Sequence, residues 1–212
     1  MRLYWFQVAP NPTKVRLYVA EKNAAGAGIE LEPVVVNLPR GEQNTADFRR
    51  LNPFASLPVL ELDDGSTIVE SLPIIDYLEE LYPSPSLWGD DPRGRARARE
   101  LERIADLRLM VPIARVIHAT RSPLGLRPNP GVAAQAAAVW PQAMRFFDDL
   151  LSDGRPLLSG TRPCVTDCTL AAALQFARFG EIELGLDSRY PGVQQWDRTY
   201  RARDVVRDVF TL

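Results

Sequence analysis

Apolar and polar residues follow two rhythms along this chain, and the switch between them marks its elements. Residues 3–8, LYWFQV, form a β-rich run that Pro10 and Pro12 close. Over 14–23, Val15, Leu17, Tyr18 and Val19 recur among charged residues as in a helix, opened by Asn11, Pro12 and Thr13. Residues 31–38 return to a β-branched strand. Strand, helix and strand in succession make a βαβ unit, whose crossover is right-handed in about 98% of cases. A polar turn at 40–43 leads to a short helix over 46–51, stopped by Asn52-Pro53. Residues 57–71, LPVLELDDGSTIVES, then read as a hairpin with its turn at Asp63-Asp64-Gly65. Ile74, Ile75, Leu78 and Leu81 announce a further helix, which Ser71 is placed to cap.

After this the rhythm of two disappears. Residues 82–92, YPSPSLWGDDP, have the composition of a linker. Helical spacing follows over 93–120, 132–151, 165–180, 193–200 and 203–210, with a loop at 125–131. Pro112 and Pro141 should kink or restart their helices. The expected fold class is α/β plus all-α: an N-terminal α/β domain over 1–82, a linker over 83–92 and an all-helical domain over 93–212.

Composition narrows the function classes. A formal charge of -2 argues against a nucleic-acid-binding surface. No apolar run approaches the ~20 residues of a membrane helix, and the N-terminus lacks the apolar core of a secretory signal. Cys164 and Cys168, four apart in a helical pattern, suggest neither a disulfide scaffold nor a metal site. The default location is the cytoplasm.

The order βαβ, short helix, ββα is that of the thioredoxin-like fold. Its pieces here, KVRLYVAEKN, GEQ, FRRLNPFASLPVLELDDG and ESLPIIDYLEELYP, together resemble the glutathione transferases, and the helical half extends the resemblance over nearly the whole chain. It implies a cis bond at Leu57-Pro58 and a glutathione site. Glu70 would pair with the γ-glutamyl ammonium, and Ser71 with its helix start would hold the carboxylate. Leu57 would offer its backbone to the cysteinyl peptide group, and Gln43 would reach the glycine carboxylate. Ser56 departs from the Lys or Gln that commonly assists there. Read alone, Glu70-Ser71 is also only a cap beside an acid, and Gln43 a loop residue. In the family a Ser/Thr-x-x-Asp box caps the main helix of the second domain; here Cys164 stands for the hydroxyl, and Asp167 reads as structural.

The same resemblance implies attack of the glutathione thiolate on a small apolar electrophile, with no metal or nucleotide, by a homodimer. The electrophile pocket would draw on Leu109, Met110, Ile113, His118, Phe176 and Phe179. Phe54 matches an aromatic knob presented to a partner subunit, or is core. A free thiol has a pKa of about 8.5 and needs a donor to ionise near neutrality. Trp5-Phe6 and Ala9 occupy the places of the catalytic phenol and serine of other classes. Asn11 is then the leading donor, as in nu-class relatives, unless it only caps its helix; Thr13 follows, then His118, a lone histidine that also reads as a packed residue. Two alternatives share the fold: a catalytically silent interaction module, and a glutathione-dependent isomerase or lyase.

Overall fold

The computed structural model describes residues 1–210. Four short strands, β1 (Arg2–Trp5), β2 (Glu32–Val35), β3 (Val59–Glu61) and β4 (Thr67–Val69), form a mixed sheet in the order β2-β1-β3-β4. β1 and β2 are parallel and joined by α1 (Pro10–Ala24), while β3 is antiparallel to both β1 and β4. Strand alternation divides the side chains between two faces. Leu3 and Leu60 face α1 and α3 (Ser71–Leu81), whereas Tyr4 and Val59 lie on the other side with Phe48 of α2 (Ala46–Leu51). This is the thioredoxin-like arrangement.

Several boundaries differ from the spacing, each for a local reason. α1 begins at Pro10 rather than near Lys14, because prolines in a first turn lack only N–H groups that a helix leaves unbonded. β1 ends at Trp5, since Val8 has φ 59° and turns the chain into α1. β2 ends before a tight 3-10 turn, Leu38–Arg40. α2 has its expected bounds: the Thr45 hydroxyl accepts the Phe48 N–H at 3.3 Å, and Asn52 is extended.

The remaining elements are helical: α4 (Pro92–Ala105), α5 (Val111–Thr120), α6 (Pro130–Ala137), α7 (Trp140–Leu151), α8 (Val165–Phe179), α9 (Leu186–Arg189), α10 (Pro191–Arg201) and α11 (Asp204–Arg207). The helix expected over 93–120 is α4 and α5 joined by a π-turn, Asp106–Met110. Pro112 lacks the N–H that would reach the carbonyl one turn back, and the helix widens just before it. The helix expected over 132–151 breaks at Ala138 and Val139, so that Pro141 falls in the first turn of α7. α9, a single turn, is too short to show a period. None of the helices among the described residues is long and apolar enough to cross a membrane.

One hydrophobic core runs from Leu3 and Leu60 through Val15, Leu17 and Tyr18 of α1 to Leu101, Met144, Leu170, Ala173 and Trp196 of the helical half. Its polar hub is Asp167, at the start of α8. The backbone N–H groups of Cys164 and Leu158 and the indole N–H of Trp196 each donate to it at 2.9 Å. The Cys164 thiol donates to the same carboxylate, with Sγ 3.2 Å from Oδ2. Burial raises the Asp167 pKa, and these bonds oppose the rise.

Candidate active site

The starts of α1 and α3 meet at one hydrogen bond. Ser71 Oγ donates to Asn11 Oδ1 at 3.0 Å, across 60 residues of sequence. The first turn of α1 has few backbone donors to offer, since Pro10 and Pro12 have no N–H and that of Thr13 goes to Ala9 O. Among the described residues this leaves the Asn11 N–H unbonded at the helix start, with the Asn11 Nδ2 beside it. Asn11 is not a cap: the cap position is Ala9, and no side-chain bond closes it. Thr13 is removed from the candidates, because it is buried and its hydroxyl donates to Ala9 O at 2.9 Å.

Ser71 is the first residue of α3 rather than its cap. Glu70 holds the cap position at φ 71°, with its side chain exposed. Pro73 has no N–H, and that of Ile74 returns to Glu70 O at 3.2 Å. The N–H groups of Ser71 and Leu72 therefore remain for an anion, which the positive end of a helix favours. The Leu57-Pro58 bond is cis. Gln43 is buried in the turn after β2, and its Oε1 has no partner among the described residues. The Ser56 carbonyl and hydroxyl both accept from the Asn52 amide, at 2.8 and 3.0 Å.

Beside the α1 start lies an apolar cavity of about 350 Å³, lined by Phe6, Val8, Ala9, Pro10, Leu38, Leu124, His118, Phe176 and Phe179 among others. The rings of Phe176 and Phe179 stack at 5.8 Å with 8° between planes, and His118 lies against Phe176 at 6.4 Å. His118 Nδ1 is 3.1 Å from Ser122 Oγ. Burial lowers its pKa, so the imidazole is neutral near pH 7.

The cavity takes up three of the six residues expected to form the electrophile pocket. Leu109, Met110 and Ile113 do not line it; all three are sealed in the common core. Helical spacing marks an apolar face without distinguishing a face against protein from one against empty space. Phe6, Val8 and Leu38 were missed, although they follow β1 and β2, and parallel sheets place ligands beyond their strands' carboxyl ends. Phe54 is 75% exposed, which excludes it from the core.

Both halves of the chain are similar to known proteins. Residues 9–81 match the family model "Glutathione S-transferase, N-terminal domain", and residues 130–196 match "Glutathione S-transferase, C-terminal domain". Glutathione S-transferase 2 of Saccharomyces cerevisiae is 28% identical over 220 residues, covering 100% of this chain and 90% of that protein. Maleylacetoacetate isomerase of Pseudomonas aeruginosa is 38% identical over 101 residues, 47% of this chain and 45% of that one. The crystal structure of a glutathione S-transferase domain-containing protein from Marinobacter aquaeolei superposes with a TM-score of 0.86 at 32% identity, covering 97% of this chain and 100% of that one. Matched at both ends by the family models and along its length by that structure, the chain belongs to the glutathione S-transferase family.

Proposed function

We propose that this chain is a cytoplasmic, homodimeric transferase that adds glutathione to a small apolar electrophile. The Ser71–Asn11 bond carries this reading, because it joins the start of α3, suited to a carboxylate, to the start of α1, suited to a thiolate. Glu70 pairs with the glutamyl ammonium, while Ser71 and the free N–H groups of α3 hold its carboxylate. Leu57 pairs with the cysteinyl peptide group, and the Gln43 side-chain amide donates from its Nε2 to the glycine carboxylate.

The sulfur then falls near Asn11, whose N–H and Nδ2 stabilise the thiolate at a helix N-terminus. His118, neutral and on the same cavity wall as Ala9 and Pro10, is placed to take the thiol proton, directly or through a water. The electrophile occupies the cavity against the Phe176–Phe179 stack. Phe54, projecting from the α/β half, seats between subunits in a notch lined by Ile104, Arg108, Ala143 and Phe146.

A second reading, glutathione-dependent isomerisation, is favoured by the identity to a maleylacetoacetate isomerase. A maleyl acid is anionic at neutral pH, and the cavity residues described here include no Lys or Arg to meet it, which favours the transferase.

Calorimetric titration with glutathione tests the site. Charge-assisted bonds contribute about 1.5–3 kcal/mol each, so Glu70→Ala and Ser71→Ala should each weaken binding about tenfold or more. Wild-type affinity in both variants refutes the assignment. Turnover of a panel of neutral electrophiles and maleyl acids separates the two chemistries.

A further inference from the structure

A buried ionic cluster lies one turn behind Asn11, where α1, α4 and α8 meet. Lys14 is 0% exposed. Its Nζ donates to Glu102 Oε1 of α4 at 2.9 Å and stands 3.8 Å from Asp106 Oδ2, in the first residue of the π-turn. Thr169 of α8 donates to the same Glu102 oxygen at 3.3 Å. Arg103 bonds Asp106 at 2.8 Å and comes within 3.6 Å of Glu102 Oε2. The Lys14 ammonium thus links the helix that carries Asn11 to the helix leading into the His118 wall, and Glu102, which it holds, carries the link on through Thr169 to the helix that bears Phe176 and Phe179.

Stability is a poor reason for such a pair, since replacing a buried ion pair by well-packed apolar groups is often neutral or stabilising. A charge-assisted bond supplies direction and a fixed length, which a methionine in the same space does not. The first turn of α1 has little else to fix it. Its cap residue, Ala9, makes no side-chain bond, two of its residues are prolines, and among the described residues the Thr13 hydroxyl bonds back only to Ala9 O of the same turn and Asn11 is tied by its side chain only to Ser71.

We propose that Lys14 is a positioning residue for thiolate formation: through Glu102 and Asp106 it sets the first turn of α1, and with it the Asn11 donors, against the wall of the electrophile cavity. This rests on the reading of the site as a glutathione site. The double variant Lys14→Met/Glu102→Gln removes both charges together and leaves no unpaired ion. Steady-state kinetics and the thiolate absorbance of bound glutathione against pH are the readouts.

The KM for glutathione should stay near the wild-type value, because its glutamyl end is held by Glu70 and Ser71. Since a misplacement of about 1 Å can cost about a hundredfold, kcat should fall about ten- to a hundredfold. The pKa of the bound thiol should rise toward its free value of about 8.5. A merely structural Lys14 would lower the melting temperature and leave the kcat and thiol pKa of the folded enzyme unchanged, and that result overturns the proposal. Should the double variant not fold, Asp106→Asn, which keeps the Lys14–Glu102 bond, takes its place: a smaller rise in the same direction supports positioning, and a wild-type thiol pKa overturns it. Wild-type protein without affinity for glutathione overturns the functional reading itself, a result seen before any variant is made.

Discussion

Adding one methyl group at Gly180 tests how the cavity wall is built. Gly180 follows α8 at φ -81° and ψ 2°, a conformation open to any residue, so the glycine serves space rather than backbone freedom. A Cβ there would lie 2.3 Å from Ile117 Cγ1 and 2.5 Å from its Cδ1, and Ile117 is buried. Carbon atoms in contact sit about 3.5–4.0 Å apart, so α5 and the end of α8 must separate by about 1 Å or more. Overpacking of this kind costs about 1–3 kcal/mol. At about 2–4 °C per kcal/mol for a chain of this size, Gly180→Ala should melt about 2–12 °C lower. The residue after Ile117 is His118, so the same opening should draw the imidazole from Phe176 and reduce turnover. Thermal melts of Gly180→Ala, Ile117→Ala and the double variant provide the check. Ile117→Ala alone should cost about 2–5 kcal/mol, and the double variant should be more stable than the sum of the two, because the obstructing carbons are gone. Losses that add to within about 0.5 kcal/mol would refute the steric argument.

Thr13→Val should cost about 1 kcal/mol for the lost bond to Ala9 O and leave the thiol pKa of bound glutathione unchanged; a raised pKa would return Thr13 to the chemistry. Phe54→Ser should shift the light-scattering mass at micromolar concentration from two chains toward one, and a one-chain mass for the unaltered protein would remove the dimer. Burial lowers the pKa of His118, so as pH falls below about 6.5 the unfolded chain takes up this proton first and folding loses stability. Denaturant midpoints at pH 7.5 and 5 should therefore differ less in His118→Asn than in the parent, and equal differences would contradict the burial argument.

The fold was legible because its local signals agree with one another. α2 was placed to the residue between the polar turn of residues 40–43 and its stop at Asn52-Pro53, and the β3–β4 hairpin by its Asp-Asp-Gly turn. Proline misled at the first helix start, where Pro10 reads as the close of a strand yet begins α1, but not at Pro141, which restarts the helix as expected of it. Of the features around the candidate site, the cis Leu57-Pro58 bond was reached through the resemblance and the start of α3 at Ser71 through the helical spacing. The cavity was not, since the apolar stretch of residues 109–113 and the aromatics of α8 look alike in sequence and separate only when α1 packs against α8. Nor does any pattern show that the Thr13 hydroxyl turns back to its own helix, or that Lys14, in a helix of ordinary polarity, is fully buried.

The core shared by both halves has a consequence for the chain while it is being made. α1 is complete at Ala24, but α8, which covers it, begins only at Val165. At about 5–20 residues per second, roughly 7–28 s separate the two on the ribosome. Throughout that interval the face of α1 turned toward α8 has no covering helix. Lys14 and Lys22, both without solvent exposure in the finished protein, keep the same helix hydrated until Glu102 and Glu79 arrive to receive them. Charges that hold the native helices in register thus first protect the unfinished chain from its neighbours.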